Sequence, residues 1–346
     1  MRFTVTKKLP RAEDIIQKHP LSDRAWEQID QDKKELQAIL SGRDDRKIVI
    51  VGPCSAWPFE GVLDYAARLK ELSKKVDHKL KIVMRCYIQK PRTTKGWLGP
   101  VNQPDPYAVP DIEAGAYYAR SLMVQIIEMG LPIADEAVFT NNAKGFVELL
   151  SWLAIGARST EDQEHRIFAS AVDCPVGMKN PTSGMIEIGA NSVVVAQHPH
   201  TAVFDGMQVE TQGNPYAHLV LRGGLHRSNY HVEDLYEAKK CLEAAQVKNP
   251  AVIVDASHDN CKINGAKNAV QQMHVVREIM STLALYPELN SLVKGFMLES
   301  FIKRGSQKIE SMKPEEVDMG GLSITDPCLG WEDTEQLLLE MANTLV

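Results

Sequence analysis

The chain has 346 residues, of which 44% are hydrophobic and 24% charged, the make-up of an ordinary soluble protein with one large domain or two small ones. Its formal net charge of -6 gives no global attraction to nucleic acid or acidic membranes, so an anionic ligand has to be met by a local basic cluster. Six cysteines without short repeated spacings argue against a disulfide framework or zinc ribbon. The polar N-terminus and the lack of any apolar run near about 18 residues argue against a leader or membrane span. The expectation is a cytoplasmic protein with no nucleic-acid or membrane partner.

Residues 1–45 form a polar N-terminal arm in which Trp26, Ile29, Leu36, Ile39 and Leu40 recur at three- and four-residue spacings, predicting an amphipathic helix. Such an arm needs a surface to cover, which points to a homodimer or homotetramer. From Lys47 onward, short apolar runs alternate with longer amphipathic stretches. The runs are KIVIVGPC, LKIVMRCY, LPIADEAV, SWLAIGAR, CPVGMKN, AHLVLRGG, PAVIVDASH and LVKGFMLES. Eight strand-like runs over roughly 300 residues predict a (β/α)8 barrel over residues 46–346. An open doubly wound sheet fits less well, because the first run ends in GPCS and no G-x-G-x-x-G follows it. Residues 186–216 break the rhythm and read as a β-rich insertion before strand six.

In such a barrel, chemistry gathers at the C-terminal ends of the strands. Those ends carry Cys54, Arg85, Asp135 with Glu136, Arg158, Lys179, Arg222, Asp255 with His258, and Glu299. Any one of these is ordinary: a charge after a strand is usually solvated, and a lone cysteine is usually a small buried hydrophobe. Together on one barrel mouth and without matching local acids, Arg85, Arg158, Lys179 and Arg222 would repel one another unless an anion bound among them, which predicts a phosphate- or carboxylate-bearing substrate.

Cys54, His258, Glu299 and Asp326 offer a thiolate, an imidazole and two carboxylates, a donor set that suits Mn(II), Fe(II), Co(II) or Zn(II). Their spacing is not a motif, and the same residues read equally as polar loop positions and a buried thiol. The loop KPRTTKGW at 90–97 supplies cations, hydroxyls and a glycine, the materials of a second phosphate site or of a solvated basic loop.

The strings GPCS (52–55), KPRTTKGW (90–97), GAR (156–158), PVGMKN (175–180), LRGG (221–224), DASHDN (255–260) and SITDPCLGWEDT (323–334) resemble the type I 3-deoxy-D-arabino-heptulosonate 7-phosphate (DAHP) synthases. The resemblance runs in order from about residue 43 to the C-terminus. It implies a transferase that condenses phosphoenolpyruvate with erythrose 4-phosphate at the first step of the shikimate pathway, using one divalent metal ion. The implied metal ligands are Cys54, His258, Glu299 and Asp326. The phosphoenolpyruvate pocket falls on Arg85, Arg158, Lys179 and Arg222, with the backbone at Ala157 contributing and Glu136 holding a water. The erythrose 4-phosphate site falls on Arg92 and Thr93, with Asp326 and Lys90 beside the aldehyde.

The implied chemistry places Lys90, Lys179, Glu136 and His258 among the catalytic groups, with a metal acting as Lewis acid on the aldehyde oxygen. Neighbouring positive charge is expected to lower the pKa of Lys90 and Lys179. Some features depart from the family: AVFTNNAKGF follows Glu136, Asp173 replaces a small polar residue, Phe301 stands where His is common, and DASHDNCKING replaces DFSHANS. An Asp in an apolar effector pocket would cost desolvation energy, so insensitivity to aromatic amino acids is expected. Two rival readings are a synthase acting on another aldose phosphate, and a non-catalytic barrel that binds a sugar phosphate.

Overall fold

Each of the eight apolar runs becomes a strand in the computed structural model, which describes residues 2–92, 95–140 and 143–345. In chain order the strands are β1 (Lys47–Gly52), β2 (Leu80–Arg85), β3 (Ile133–Ala137), β4 (Trp152–Ile155) and β5 (Val176–Lys179), then the hairpin β6 (Thr201–Phe204) and β7 (Met207–Glu210). They continue with β8 (His218–Leu221), β9 (Val252–Asp255), a short hairpin β10 (Lys262–Ile263) and β11 (Ala266–Lys267), and β12 (Val293–Glu299). The closed parallel barrel runs β1-β12-β9-β8-β5-β4-β3-β2. The helices are α1 (Ala12–Lys18), α2 (Asp23–Leu40), α3 (Phe59–Val76), α4 (Ile112–Glu128), α5 (Gln163–Ala171), α6 (Ile186–Gln197), α7 (Val232–Ala244), α8 (Gln271–Leu285), α9 (Pro287–Asn290) and α10 (Trp331–Thr344).

The strands read as unbroken apolar runs because both their faces are covered. One alternating set, including Ile48, Ile50, Val83, Ala134, Ala154, Val220, Ile253 and Met297, fills the barrel interior. The other set, including Val49, Val51, Ile82, Met84, Leu153, Val176, Leu219 and Val252, packs in the cluster shared with the surrounding helices.

Helix α2 closes the N-terminal end of the barrel. Ser22 caps it, its Oγ accepting from the Ala25 N–H at 3.2 Å, and Leu36, Ile39 and Leu40 join the interior cluster. Burying such side chains is worth about 1.5–3 kcal/mol each. Lys81, at the start of β2, reaches Asp32 at 2.7 Å and Glu35 at 2.9 Å, tying the helix down. The apolar face of the arm is therefore spent on the floor of its own barrel, and the case for a dimer contact drawn from that face falls away. Trp26 is the exception, being 38% exposed.

The stretch 186–216 differs from its β-rich reading. Residues 186–197 are α6, which buries Ile186, Gly189, Ala190, Val193 and Ala196 at helical spacing. A helix here covers β5 and β8 of the barrel, and tertiary packing overrides the β propensity of its three consecutive valines. Only β6–β7 is β-structured, closed by Asp205 and Gly206 with φ of 50° and 73°, the left-handed pair that a tight two-residue hairpin turn requires. No helix among the described residues is long and apolar enough to cross a membrane.

Candidate active site

The charged strand ends converge on one cavity of about 650 Å3. It is lined by Cys54, Lys90, Arg92, Glu136, Ala157, Arg158, Lys179, Arg222, His258 and Asp326, among others. Arg85 and Glu299 lie fully buried beneath it, joined by a 3.2 Å ion pair. Thr93 falls outside the described residues.

The backbone makes room for this crowd of charges. A side chain at Gly156 would sit 2.6 Å from the Glu136 carboxylate, and one at Gly223, where φ is 79°, would sit 2.7 Å from the Asn260 backbone. Glycine is therefore needed in LRGG, and a larger residue in GAR would displace the Glu136 carboxylate. Gln272 holds the end of β12 by accepting from the Glu299 N–H at 2.8 Å and donating to the Glu299 carbonyl at 3.0 Å.

Cations and acids alternate across the cavity. Lys179 donates to Glu136 at 2.9 Å and lies 3.8 Å from Asp255. Although burial pushes the Glu136 carboxyl upward, Lys179 and Lys90 hold it below the usual range. Lys90 donates to the Cys54 carbonyl at 2.6 Å and lies 3.3 Å from the Cys54 sulfur. The expected lowering of its pKa is not found: burial pulls that way, but Cys54 and Glu299 outweigh it and hold the ammonium above the ordinary lysine value. Positive charge alone was the wrong guide, because Lys90 also faces Cys54 and Glu299.

A divalent cation fits the donor atoms. The Cys54 sulfur and carboxylate oxygens of Glu299 and Asp326 lie within 4.8 Å of one another. Glu299 Oε2 is buried and has no hydrogen-bond partner among the described residues. His258 stands at the edge of this group, with Nε2 3.8 Å from Glu299 and Nδ1 2.7 Å from Asp255, an outer contact that orients the ring toward the acids. Burial pushes the Cys54 thiol up, which sets it against the thiolate form that a metal ligand has to take. One thiolate, one imidazole and two carboxylates suit a borderline first-row ion and do not choose among them.

Several lining residues gave no signal in the sequence. Tyr87 lies under the cations, with the Arg85 guanidinium 3.8 Å from its ring centre. The β10–β11 hairpin brings Lys262 and Lys267 into the cavity, where Lys267 pairs with Asp326 and Asp259 pairs with Arg222. Their pattern, DASHDNCKINGAK, is visible, but a loop's return path over the mouth is not. Two noted departures do not line the cavity. Phe301 is buried against Tyr65, ring centres 6.0 Å apart. Asp173 is a surface residue, its side chain 77% exposed and paired with Lys33 at 3.0 Å, so the expected desolvation cost does not arise.

A (β/α)8 barrel whose mouth sets a ring of buried cations around a thiol–carboxylate–imidazole cluster defines an enzyme for anionic substrates with a site that fits a divalent ion. The chain belongs to the DAHP synthetase I family, whose model matches residues 25–339. It is 38% identical over 336 residues to the Trp-sensitive phospho-2-dehydro-3-deoxyheptonate aldolase of Enterobacter agglomerans, covering 96% of this chain and 93% of the relative. It is also 38% identical to the Tyr-sensitive enzyme of Salmonella typhimurium, covering 100% and 95%. The solved phospho-2-dehydro-3-deoxyheptonate aldolase of Francisella tularensis superimposes with a TM-score of 0.92 at 34% identity, covering 99% of this chain and 98% of that one.

Proposed function

We propose that this enzyme condenses phosphoenolpyruvate, erythrose 4-phosphate and water to DAHP and phosphate, the first step of aromatic biosynthesis. The observation that carries the reading is the placement of Lys90 Nζ 3.3 Å from Cys54 Sγ, which lets a proton donor and the metal-type cluster meet at one acceptor oxygen. Arg85, Arg158, Lys179 and Arg222, with the Ala157 backbone, hold the phosphate and carboxylate of phosphoenolpyruvate, fork-shaped guanidinium groups being suited to such anions. Arg92 and Thr93 take the phosphate of the aldose, with Asp326 near its reacting end.

C3 of phosphoenolpyruvate then bonds to the aldehyde carbon, and Lys90 delivers a proton to the oxygen that becomes a hydroxyl. Glu136, held as a carboxylate by Lys179, orients the water that adds at C2, after which the C2–O bond breaks and phosphate leaves. Cys54, His258, Glu299 and Asp326 would hold a divalent ion, which supplies Lewis-acid polarisation of the aldehyde when bound. Closing these groups round both substrates gives the proximity such a condensation needs.

Phosphoenolpyruvate consumption with erythrose 4-phosphate, read with the product mass, tests this directly. Loss of phosphoenolpyruvate only with a longer aldose phosphate would keep the anion pocket and reject the acceptor.

Insensitivity to phenylalanine, tyrosine and tryptophan is retained as a proposal on the divergent AVFTNNAKGF segment alone, and strong inhibition by any one of them would reject it. A homodimer or homotetramer is supported by apolar side chains left exposed on the N-terminal segment and hairpin, Val5 at 77% and Val203 at 73%. A cytoplasmic setting is supported by six cysteines that remain free thiols.

A further inference from the structure

We propose that Asp259 is a resident anion of the substrate pocket: it holds Arg222 until a substrate's phosphate or carboxylate displaces it toward Lys262, and so sets the affinity for phosphoenolpyruvate. The inference rests on the reading that Arg222 binds that substrate.

Asp259 follows His258, whose φ of 53° turns the chain sharply at the end of β9. Its backbone N–H donates to the Arg222 carbonyl at 3.1 Å, which fixes the residue beside the arginine. The carboxylate is split between two cations. Oδ2 contacts Arg222 Nη1, and Oδ1 lies 2.5 Å from Lys262 Nζ. The side chains of Arg222 and Asp259 are only 9% and 10% exposed, whereas that of Lys262 is 26% exposed.

The arginine is incompletely used. Its Nε is buried and has no hydrogen-bond partner among the described residues, although an unmade bond to a buried donor is costly. A phosphate is gripped best by two parallel guanidinium N–H groups. Asp259 engages Nη1 and leaves Nε without a partner among the described residues, so only part of the guanidinium's donor set is committed before an anion arrives. Two anions on the same guanidinium also repel each other in this largely buried site. Lys262 makes the exchange feasible: it already touches the other carboxylate oxygen, and its ammonium lies nearer solvent. When phosphoenolpyruvate takes Arg222, Asp259 keeps a cation and is not left buried and unpaired.

The test is a thermodynamic cycle on the full-length enzyme, with phosphoenolpyruvate binding followed by calorimetry and KM measured for both substrates. Asp259→Asn should tighten phosphoenolpyruvate binding about fivefold, with the change falling on KM for phosphoenolpyruvate and not on KM for erythrose 4-phosphate. Lys262→Met should weaken binding about threefold, because Asp259 loses its alternative partner. The decisive arm is the double variant, in which Lys262→Met should have no further effect. If Lys262→Met weakens binding equally with and without Asp259, the lysine acts only as a nearby positive charge and the proposal is overturned. It also falls if Asp259→Asn folds and leaves the affinity unchanged or weaker. Arg222→Gln separates the two levels: it should lose binding at least about fiftyfold, and a variant that binds normally would reject both the substrate assignment and the inference built on it. Should Asp259→Asn fail to fold, a Lys262→Met enzyme with unaltered affinity still overturns the proposal.

Discussion

The two ends of the barrel are both rich in charge, yet they handle it in opposite ways. At the floor, Lys81 bridges Asp32 and Glu35, and Arg46 binds Glu35, Asp44 and Asp77. Each acid there sits against a cation, and the network surrounds an apolar plug. At the mouth, three potential anions, Cys54, Glu299 and Asp326, crowd within 4.8 Å, while Glu299 Oε2 and Arg222 Nε are buried without a partner. Arg85 and Lys267 each pair with one of these carboxylates, yet Glu299 Oε2 stays without a partner among the described residues, and acidic groups this close favour one more cation. The floor is arranged to be stable as it stands; the mouth is arranged to be completed by something that binds.

This contrast is most easily broken at Glu299. Glu299→Gln should leave the fold intact by circular dichroism but lower bound metal and cut turnover at least about a thousandfold; full metal content with near-normal turnover would remove the mouth's special status. Next in size, Lys90→Met should lower kcat by about 10^2–10^4-fold, the range for a lost general acid. KM for phosphoenolpyruvate should move little, and a loss confined to KM would make Lys90 a binding group.

The floor should respond in the other currency. Leu36→Ala removes a fully buried side chain and should cost about 2–5 kcal/mol in urea unfolding, with kcat/KM of the folded enzyme unchanged. A catalytic defect at unchanged stability would erase the division between the two ends.

The smallest effect concerns pH. His218, at the start of β8, accepts from Trp152 Nε1 at 3.1 Å, and burial pushes its pKa down to about 4. The unfolded chain therefore binds the extra proton first, below about 6.5. The stability contributed by neutral His218 is present above pH 6.5 and is lost as pH falls toward 4. Stability measured between these pH values should fall less steeply in His218→Gln, which keeps an acceptor for the tryptophan; an unchanged slope would mean that His218 is not the titrating group.

Sequence reading succeeded where a residue's environment follows from its own element. The eight strands were legible because burial on both faces turns each into a continuous apolar run, and their charged ends were legible because charge closing such runs has no packing role. It failed where environment depends on how distant segments return. Residues 186–197 were read as part of a β-rich insertion, whereas they form the helix that covers β5 and β8. Asp173 looked like a pocket residue but pairs with Lys33 at the surface. Asp259 and Lys267 were visible only as part of a charged loop, since their partners Arg222 and Asp326 lie 37 and 59 residues away.

The central claim is that the mouth is completed by a divalent ion and two anionic substrates. The most direct measurement is phosphoenolpyruvate consumption with erythrose 4-phosphate by enzyme stripped with EDTA, before and after adding Mn(II), with the product mass recorded. The account predicts no turnover in the stripped enzyme and formation of DAHP on metal addition; full turnover in EDTA would contradict it.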